Sequence, residues 1–591
     1  MEAYRLLAVL LAATVVFLTG IDWGLPDAYD DDLLFGGRQA WSGARLTALV
    51  GGDVLSTPQV AADVDVNPVA AERHPVELTD TPSSQAELIV RYRLYSRQPD
   101  EMITFRALYS ARRDGDPRLY QYGGLFIYPV GAALRVASAV GLVVLKDDLA
   151  FYLDHPAAFG RFYVVARLVV LGYGLAGVAL CYALGRRFAG DLAGVIAAIL
   201  FVLMPITVNM VHEAKPHLPA AVWMLGAVLA GDAFVRRGGW RACLLVGAIC
   251  GLAMANVLSA WPVWLVLPAM LLARHERWAS RVGKLAAAGA LSGGVYLLFN
   301  PFVVINLFVN PAVLRSNFEN SAAMYQVGSL GAGMANVVRL SLEAAGAAVL
   351  LAGLAGVVWL CRRQRARAAV IVAPAAAALA VMITVGAGKP AEFARFGVFA
   401  YAVLAVLAGC VSARLIEVRG RAGFALIFVL LAATGFSGTR YMTAFATDAY
   451  GRSTRIAAAH WLANRLVGDP DASIGVVQEP APYAMGPMDF AGRRVVLLPD
   501  EPPGVDAALP DWLVVSADRR ESLHGSWWLR EYGIAAVFPD ESFDLMKRPT
   551  PISWANKPVF IFRRSRAAQS GESVTAQSSR TRRERRCVQW T

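Results

Sequence analysis

The feature that most constrains this chain is a series of apolar runs, each roughly 17 to 25 residues long, separated by short polar loops. Built as a helix rising 1.5 Å per residue, such a run spans the roughly 30 Å hydrocarbon core of a bilayer. Soluble domains keep about a quarter of their residues charged, whereas here 17% of 591 are. That scarcity excludes a soluble enzyme, a disordered chain and a fibrous repeat. The chain reads as an α-helical polytopic membrane protein.

The charges that remain are patterned. The net charge of +11 lies in short clusters between apolar runs: Arg186 and Arg187; Arg236, Arg237 and Arg241; Arg274, Arg277, Arg281 and Lys284; Arg362, Arg363, Arg365 and Arg367; Arg414, Arg419 and Arg421. They recur at every second loop, as cytoplasmic loops do. The excess therefore reads as a topology signal, and no nucleic-acid partner is expected. Of six cysteines, five sit in or beside apolar runs, so no disulfide framework is expected.

The first run, Leu6 to Gly20, follows Arg5 and reads as a span with its N-terminus inside rather than as a cleaved signal peptide. Further spans are expected near 160–184, 190–211, 217–235, 242–257, 258–273, 285–308, 337–360, 368–386, 396–413 and 422–438. Residues 242–273 are too long for one crossing, so a hairpin is expected around Leu258 to Pro262. The total is about eleven transmembrane helices, with the C-terminus outside. Tyr120 to Leu145 is apolar but lacks a flanking basic cluster, and reads as a re-entrant or interfacial element on the outer face.

Past Arg440 the composition changes. Residues 453–467 have helical spacing, and short apolar strands follow at Ile474 to Val477, Val495 to Leu498, Leu513 to Val515, Ala535 to Phe538 and Pro558 to Phe562. The expected division is a first transmembrane helix (1–21) and an external loop with the catalytic motif and interfacial helices (22–157). A transmembrane core (158–439), an external α/β domain (440–566) and a disordered basic tail (567–591) complete it.

The chain has no GxxxxGK[ST], HExxH, GxSxG or CxxC signature, and its Gly328 to Gly333 stretch follows no strand. What stands out is a set of polar motifs on one expected face. Gln98-Pro99-Asp100-Glu101 precedes Asp116-Pro117 and Tyr120-Gln-Tyr122. His212-Glu213-Ala-Lys215-Pro216-His217 sits at the turn between the third and fourth spans, and Lys389 to Arg395 opens the tenth. Asn300 to Tyr325 supplies Asn306, Asn310 and Arg315.

This layout resembles the GT-C superfamily of polyprenyl-phosphate-sugar-dependent glycosyltransferases, with protein mannosyltransferases and the aminoarabinose transferase of lipid A as the nearer relatives. QPDE (98–101) followed by DPRLYQYGGLFIYP (116–129) resembles the family's acidic pair and its Pro/Tyr-rich stretch. Arg161 to Arg187 resembles its second span, and Pro205 to Pro219 its later polar turn. His217 stands where an acidic residue often ends that turn, and Arg395-Phe396 stands in place of an Arg-Tyr pair.

The resemblance implies a plasma (inner) membrane enzyme, N-terminus cytoplasmic and C-terminal domain external, that moves a sugar from a polyprenyl-phosphate donor to a glycan, lipid or protein acceptor with inversion. It implies Asp100 as general base with Glu101 beside it. Lys389 and Arg395 become candidates for the donor phosphate, since an Arg fork matches phosphate oxygens. His212, Glu213 and His217 are candidates for substrate or for a divalent metal ion, the one cofactor left open. Asp30, Asp31 and Asp32, directly after the first span, are rival catalytic acids. A lipid-linked saccharide flippase is the alternative function, and a non-catalytic scaffold a third.

Overall fold

The computed structural model describes residues 2–51, 75–324, 329–385, 391–449, 451–477, 482–483, 485–499, 502, 508–517, 523–539 and 550–565. Among these, six helices are long and apolar enough to cross a membrane: Pro156–Ala189, His217–Arg237, Trp278–Phe299, Arg365–Val385, Phe393–Arg419 and Arg421–Ala449. Two bent pairs bring the number to eight. Asp191–Leu203 meets Pro205–Val211 at 63°, and Leu330–Ala345 meets Ala347–Arg363 at 104°. The first break falls where Pro205, at the start of its helix, lacks the N–H that would continue the ladder. The second falls at Gly346, whose φ of +80° no β-carbon-bearing residue adopts readily. The remaining expected crossings fall on shorter apolar helices, Tyr4–Leu18, Trp240–Met254 and Leu258–Leu272.

The bundle closes on the Val398–Arg419 helix, which is buried along almost its whole first four turns. Small residues let backbones approach there, as they do between membrane helices generally. A β-carbon on Gly409 would lie 2.6 Å from the Ala193 carbonyl oxygen. The basic clusters also find a common partner. Asp232, fully buried, is approached by Arg187 at 2.7 Å, Arg367 at 2.5 Å and Arg236 at 3.5 Å. An acid inside a membrane helix needs such partners, and here it ties three helices together at one end.

Tyr120 to Leu145 contains a single helix, Gly124–Ala139, of 16 residues, about 24 Å at the helical rise. It is anchored by its entry turn. Gly123 N–H donates to the Asn256 carbonyl at 2.7 Å, and Leu125 N–H to that of Ala255 at 3.1 Å. The strand-like contact of Tyr122 with Val257 completes the joint, so the expected hairpin region doubles as a dock for this element. Asn300 Oδ1 accepts from Gly124 N–H at 2.9 Å, and Asn317 Oδ1 accepts from Tyr120 N–H at 2.9 Å.

The C-terminal region forms a six-stranded sheet: β1 (Val76–Glu77), β2 (Ile474–Val477), β3 (Val495–Leu498), β4 (Trp512–Ser516), β5 (Tyr532–Phe538) and β6 (Val559–Arg564). The order is β1-β3-β2-β4-β6-β5, with β3, β2 and β4 mutually parallel and the other pairings antiparallel. Five strands coincide with the expected ones to within three residues. The sixth, β1, comes from the first loop and pairs Val76 with Leu497 and Glu77 with Val496. Residues 76–77 of the first loop thus supply one edge of the sheet.

Candidate active site

The site begins with a helix start. Asp100 occupies the N-cap position of the Glu101–Asp114 helix, where an aspartate ordinarily bonds the exposed N–H groups of the first turn. It makes no such bond. Gln98 does so instead, its Oε1 accepting from the N–H groups of Asp100 at 2.7 Å and Glu101 at 3.1 Å. The Asp100 carboxylate is released from capping and meets two cations. Its Oδ2 lies 2.7 Å from Lys215 Nζ and 3.3 Å from Arg395 Nη1. Burial pushes the Asp100 pKa up, but Lys215 and Arg395 outweigh burial and hold it well below the usual carboxylate range.

Lys215, 1% exposed, also lies 3.3 Å from Glu213 Oε2. Asn209 Nδ2 donates to the other Glu213 oxygen at 3.2 Å. Arg395 is stacked near the rings of Phe393 and Phe396, 4.8 and 5.3 Å from their centres. His217 stands edge-on to Phe396 and to Tyr122, joining three of the four expected motifs in one packing unit. Two buried polar atoms here, Gln98 Nε2 and His217 Nδ1, have no hydrogen-bond partner among the described residues.

Glu101 points away from this cluster. Arg167 grips it with two bonds of 2.8 Å, Ala214 N–H donates at 2.8 Å and Ser96 Oγ at 2.5 Å. Arg167 in turn donates to the carbonyls of Ile21 and Trp23 at 2.8 and 2.7 Å. Both side chains are fully buried. The pair locks the first helix, the QPDE turn and the 213–215 turn together.

The rival acids are engaged elsewhere. Arg97 bridges Asp30 and Asp448, each at 3.2 Å, and donates to Ser453 Oγ at 3.0 Å. Arg455 reaches the same Asp448 at 3.4 Å. Arg93 forms a two-bonded pair with Asp31 at 3.2 and 2.9 Å and donates to the carbonyls of Trp41 and Leu153. Burial raises the pKa of Asp30 and of Asp31, and their arginines offset only part of it. Asp32 is exposed.

His212 is turned out of the site. Its ring stacks on Phe445 at 4.3 Å, and its nitrogens face the carbonyls of Val208 and Thr19 at 2.6 and 2.9 Å. Among the described residues no three His, Cys, Asp or Glu side chains converge as metal ligands. The position between the Asp100 and Glu213 carboxylates holds the Lys215 ammonium. Among the described residues these two carboxylates are therefore already bridged by a lysine ammonium. Lys389 lies outside the described residues.

Lys215 and Gln98 carry more of this cluster than their residue types in the motifs suggest. Lys215 sits inside the 212–217 motif, where its signal is a lone lysine at an apolar boundary. A further contact comes from the sheet region. Tyr92 OH donates to the Met485 and Gly486 carbonyls at 3.0 and 2.9 Å, and Tyr483 OH lies 3.5 Å from the Pro99 carbonyl. The segment after β2 therefore packs on the QPDE turn.

Residues 157–305, 149 of 591, match the family model described as dolichyl-phosphate-mannose-protein mannosyltransferase. That stretch holds Arg167, Glu213 and Lys215. No curated protein matches the chain. Similar solved structures include ArnT from Cupriavidus metallidurans in the apo state, at 14% identity over 85% of this chain and 97% of that one, TM-score 0.43. The same protein bound to undecaprenyl phosphate aligns at 15% identity over 75% and 88%, TM-score 0.41. The archaeal oligosaccharyltransferase AglB from Archaeoglobus fulgidus, in complex with an inhibitory peptide and a dolichol-phosphate, aligns at 11% over 87% and 70%, TM-score 0.42. Over residues 157–305 the chain is thus similar to the dolichyl-phosphate-mannose-protein mannosyltransferase family.

Proposed function

We propose that this chain is a multi-pass plasma-membrane glycosyltransferase that takes a sugar from a polyprenyl-phosphate donor and transfers it, with inversion, to an acceptor on the outer face. Its N-terminus is cytoplasmic and its sheet region external. The observation that carries this reading is the Asp100–Lys215–Arg395 cluster, drawn from three distant parts of the chain. An acceptor hydroxyl attacks the anomeric carbon, Asp100 takes its proton, and the sugar–phosphate bond breaks with the electron pair leaving on phosphate. Arg395 and Lys215 stabilise that charge, with Lys389 a further candidate.

A strongly depressed carboxylate is a poor base, and the shared cations resolve this. A donor phosphate drawing Arg395 and Lys215 toward itself weakens their hold on Asp100 and raises its basicity. Donor binding thereby readies the base. Glu101 and Arg167 act as positioning residues for the turn.

Polyprenyl phosphate binding to the purified protein tests the phosphate assignment. Arg395→Gln is expected to weaken it about tenfold, the value of one charge-assisted hydrogen bond; unchanged affinity would remove Arg395 from the donor site. Movement of a labelled lipid-linked sugar across sealed vesicles, with no acceptor modified, would favour the flippase instead.

A further inference from the structure

A cavity of about 710 Å³ lies apart from the Asp100 cluster, between the Glu101–Asp114, Gly124–Ala139 and Pro156–Ala189 helices. Its size is that of a ligand pocket rather than a packing defect. Phe105, Leu108, Leu134, Phe159 and Phe162 give it an apolar lining, and Asp100, Lys215 and Arg395 are not among its walls.

Its charged lining is one-sided. Arg112, Arg135 and Lys146 contribute three positive charges against the one negative charge of Asp147. Asp147 is paired with Arg112, and Lys146 lies 3.8 Å from the centre of the Phe151 ring. Arg135 is exposed and has no ion-pair partner among the described residues. Beside it the surface is apolar: Val136 and Val140 are each 65% exposed, and Leu142 63%. A contiguous apolar surface of this kind belongs against hydrocarbon rather than water. Arginine and lysine at such a boundary place their stems along the apolar wall and their heads at the headgroup level.

We propose that this cavity binds an anionic phospholipid of the surrounding membrane, its acyl chain against the Phe105–Leu108–Phe159 wall and its phosphate between Arg135 and Lys146. The charge balance selects against a zwitterionic headgroup. Its walls include neither Lys215 nor Arg395, which distinguishes the site from the one assigned to the donor.

Native mass spectrometry of the detergent-purified full chain reads this directly. Phosphatidylglycerol is added alone, beside phosphatidylcholine, or with excess polyprenyl phosphate. The expected result is preferential retention of phosphatidylglycerol, undiminished by polyprenyl phosphate. Retention should fall about 10- to 30-fold in Arg135→Glu, where one attractive charge becomes repulsive. Ala132→Trp, at an exposed lining position, should block the cavity without disturbing the core. Arg395→Gln should leave retention unchanged. Equal retention of both phospholipids, displacement by polyprenyl phosphate, or indifference to both cavity variants would each overturn the proposal. Because no sugar transfer is read, its failure is distinct from failure of the transferase assignment.

Discussion

Two acidic clusters in the first loop look alike in sequence and differ in the fold. Asp30 and Asp31 each meet one arginine, and those arginines also bind backbone or the start of the sheet region. Their charge is compensated only in part, and their pKa values rise. Asp100 meets a lysine and an arginine, is excused from capping its own helix by Gln98, and its pKa falls. Burial is common to both. What separates the two in the fold is the number of cations facing the carboxylate and whether those cations have other duties.

The largest effect is expected at Asp100 itself. Asp100→Asn should reduce sugar transfer per folded molecule by about 100-fold or more, the range of a lost general base, with some loss of melting temperature because Lys215 and Arg395 lose a shared buried partner. Retained activity would return the base to the Asp30–Asp32 group. Asp30→Asn should do the reverse, lowering stability in detergent by up to about 3 kcal/mol because Arg97 loses one of two buried partners. Turnover per folded molecule should change only a few-fold.

The pH profile sharpens the contrast. A carboxylate with a depressed pKa stays ionised as pH falls through the ordinary carboxylate range and is protonated only below it. The Asp100 carboxylate of the free protein should therefore stay ionised well into acid. In Lys215→Met one cation is gone, and the acid limb of donor-limited activity should move upward by about 1–3 units. No movement would mean that Lys215 does not set the Asp100 charge. The smallest effect is expected for Gln98→Ala, which removes the substitute cap at about 1 kcal/mol. Turnover should fall less than about tenfold, with a small loss in melting temperature.

The membrane architecture and the C-terminal strands were legible because hydrophobic period and length report burial directly. Four-residue apolar strands such as Val495–Leu498 announce themselves between Gly, Pro and Asp. β1 does not, since two residues on a sheet edge carry no periodicity and are defined only by their partner 419 positions away. Crossing number is blurred where helices are short or bent: Leu258 opens a 3₁₀ turn rather than a straight span, and the 104° bend at Gly346 divides one expected crossing into two directions. At the site, residue type pointed to Asp100 and Arg395. The roles of Lys215, Gln98 and Arg167 depend on which distant turn each reaches, and spacing along one chain does not encode that.

β1 also carries a consequence for how the protein comes into being. Val76 and Glu77 leave the ribosome long before the Val496 and Leu497 they pair with. At about 5–20 residues per second, the interval is roughly 20–80 s. Throughout that time the first loop waits while the rest of the chain is still being made. Once β3 is made, two of its four residues pair with Val76 and Glu77, so part of an edge that would otherwise stand open to a neighbouring chain is covered from within the same molecule.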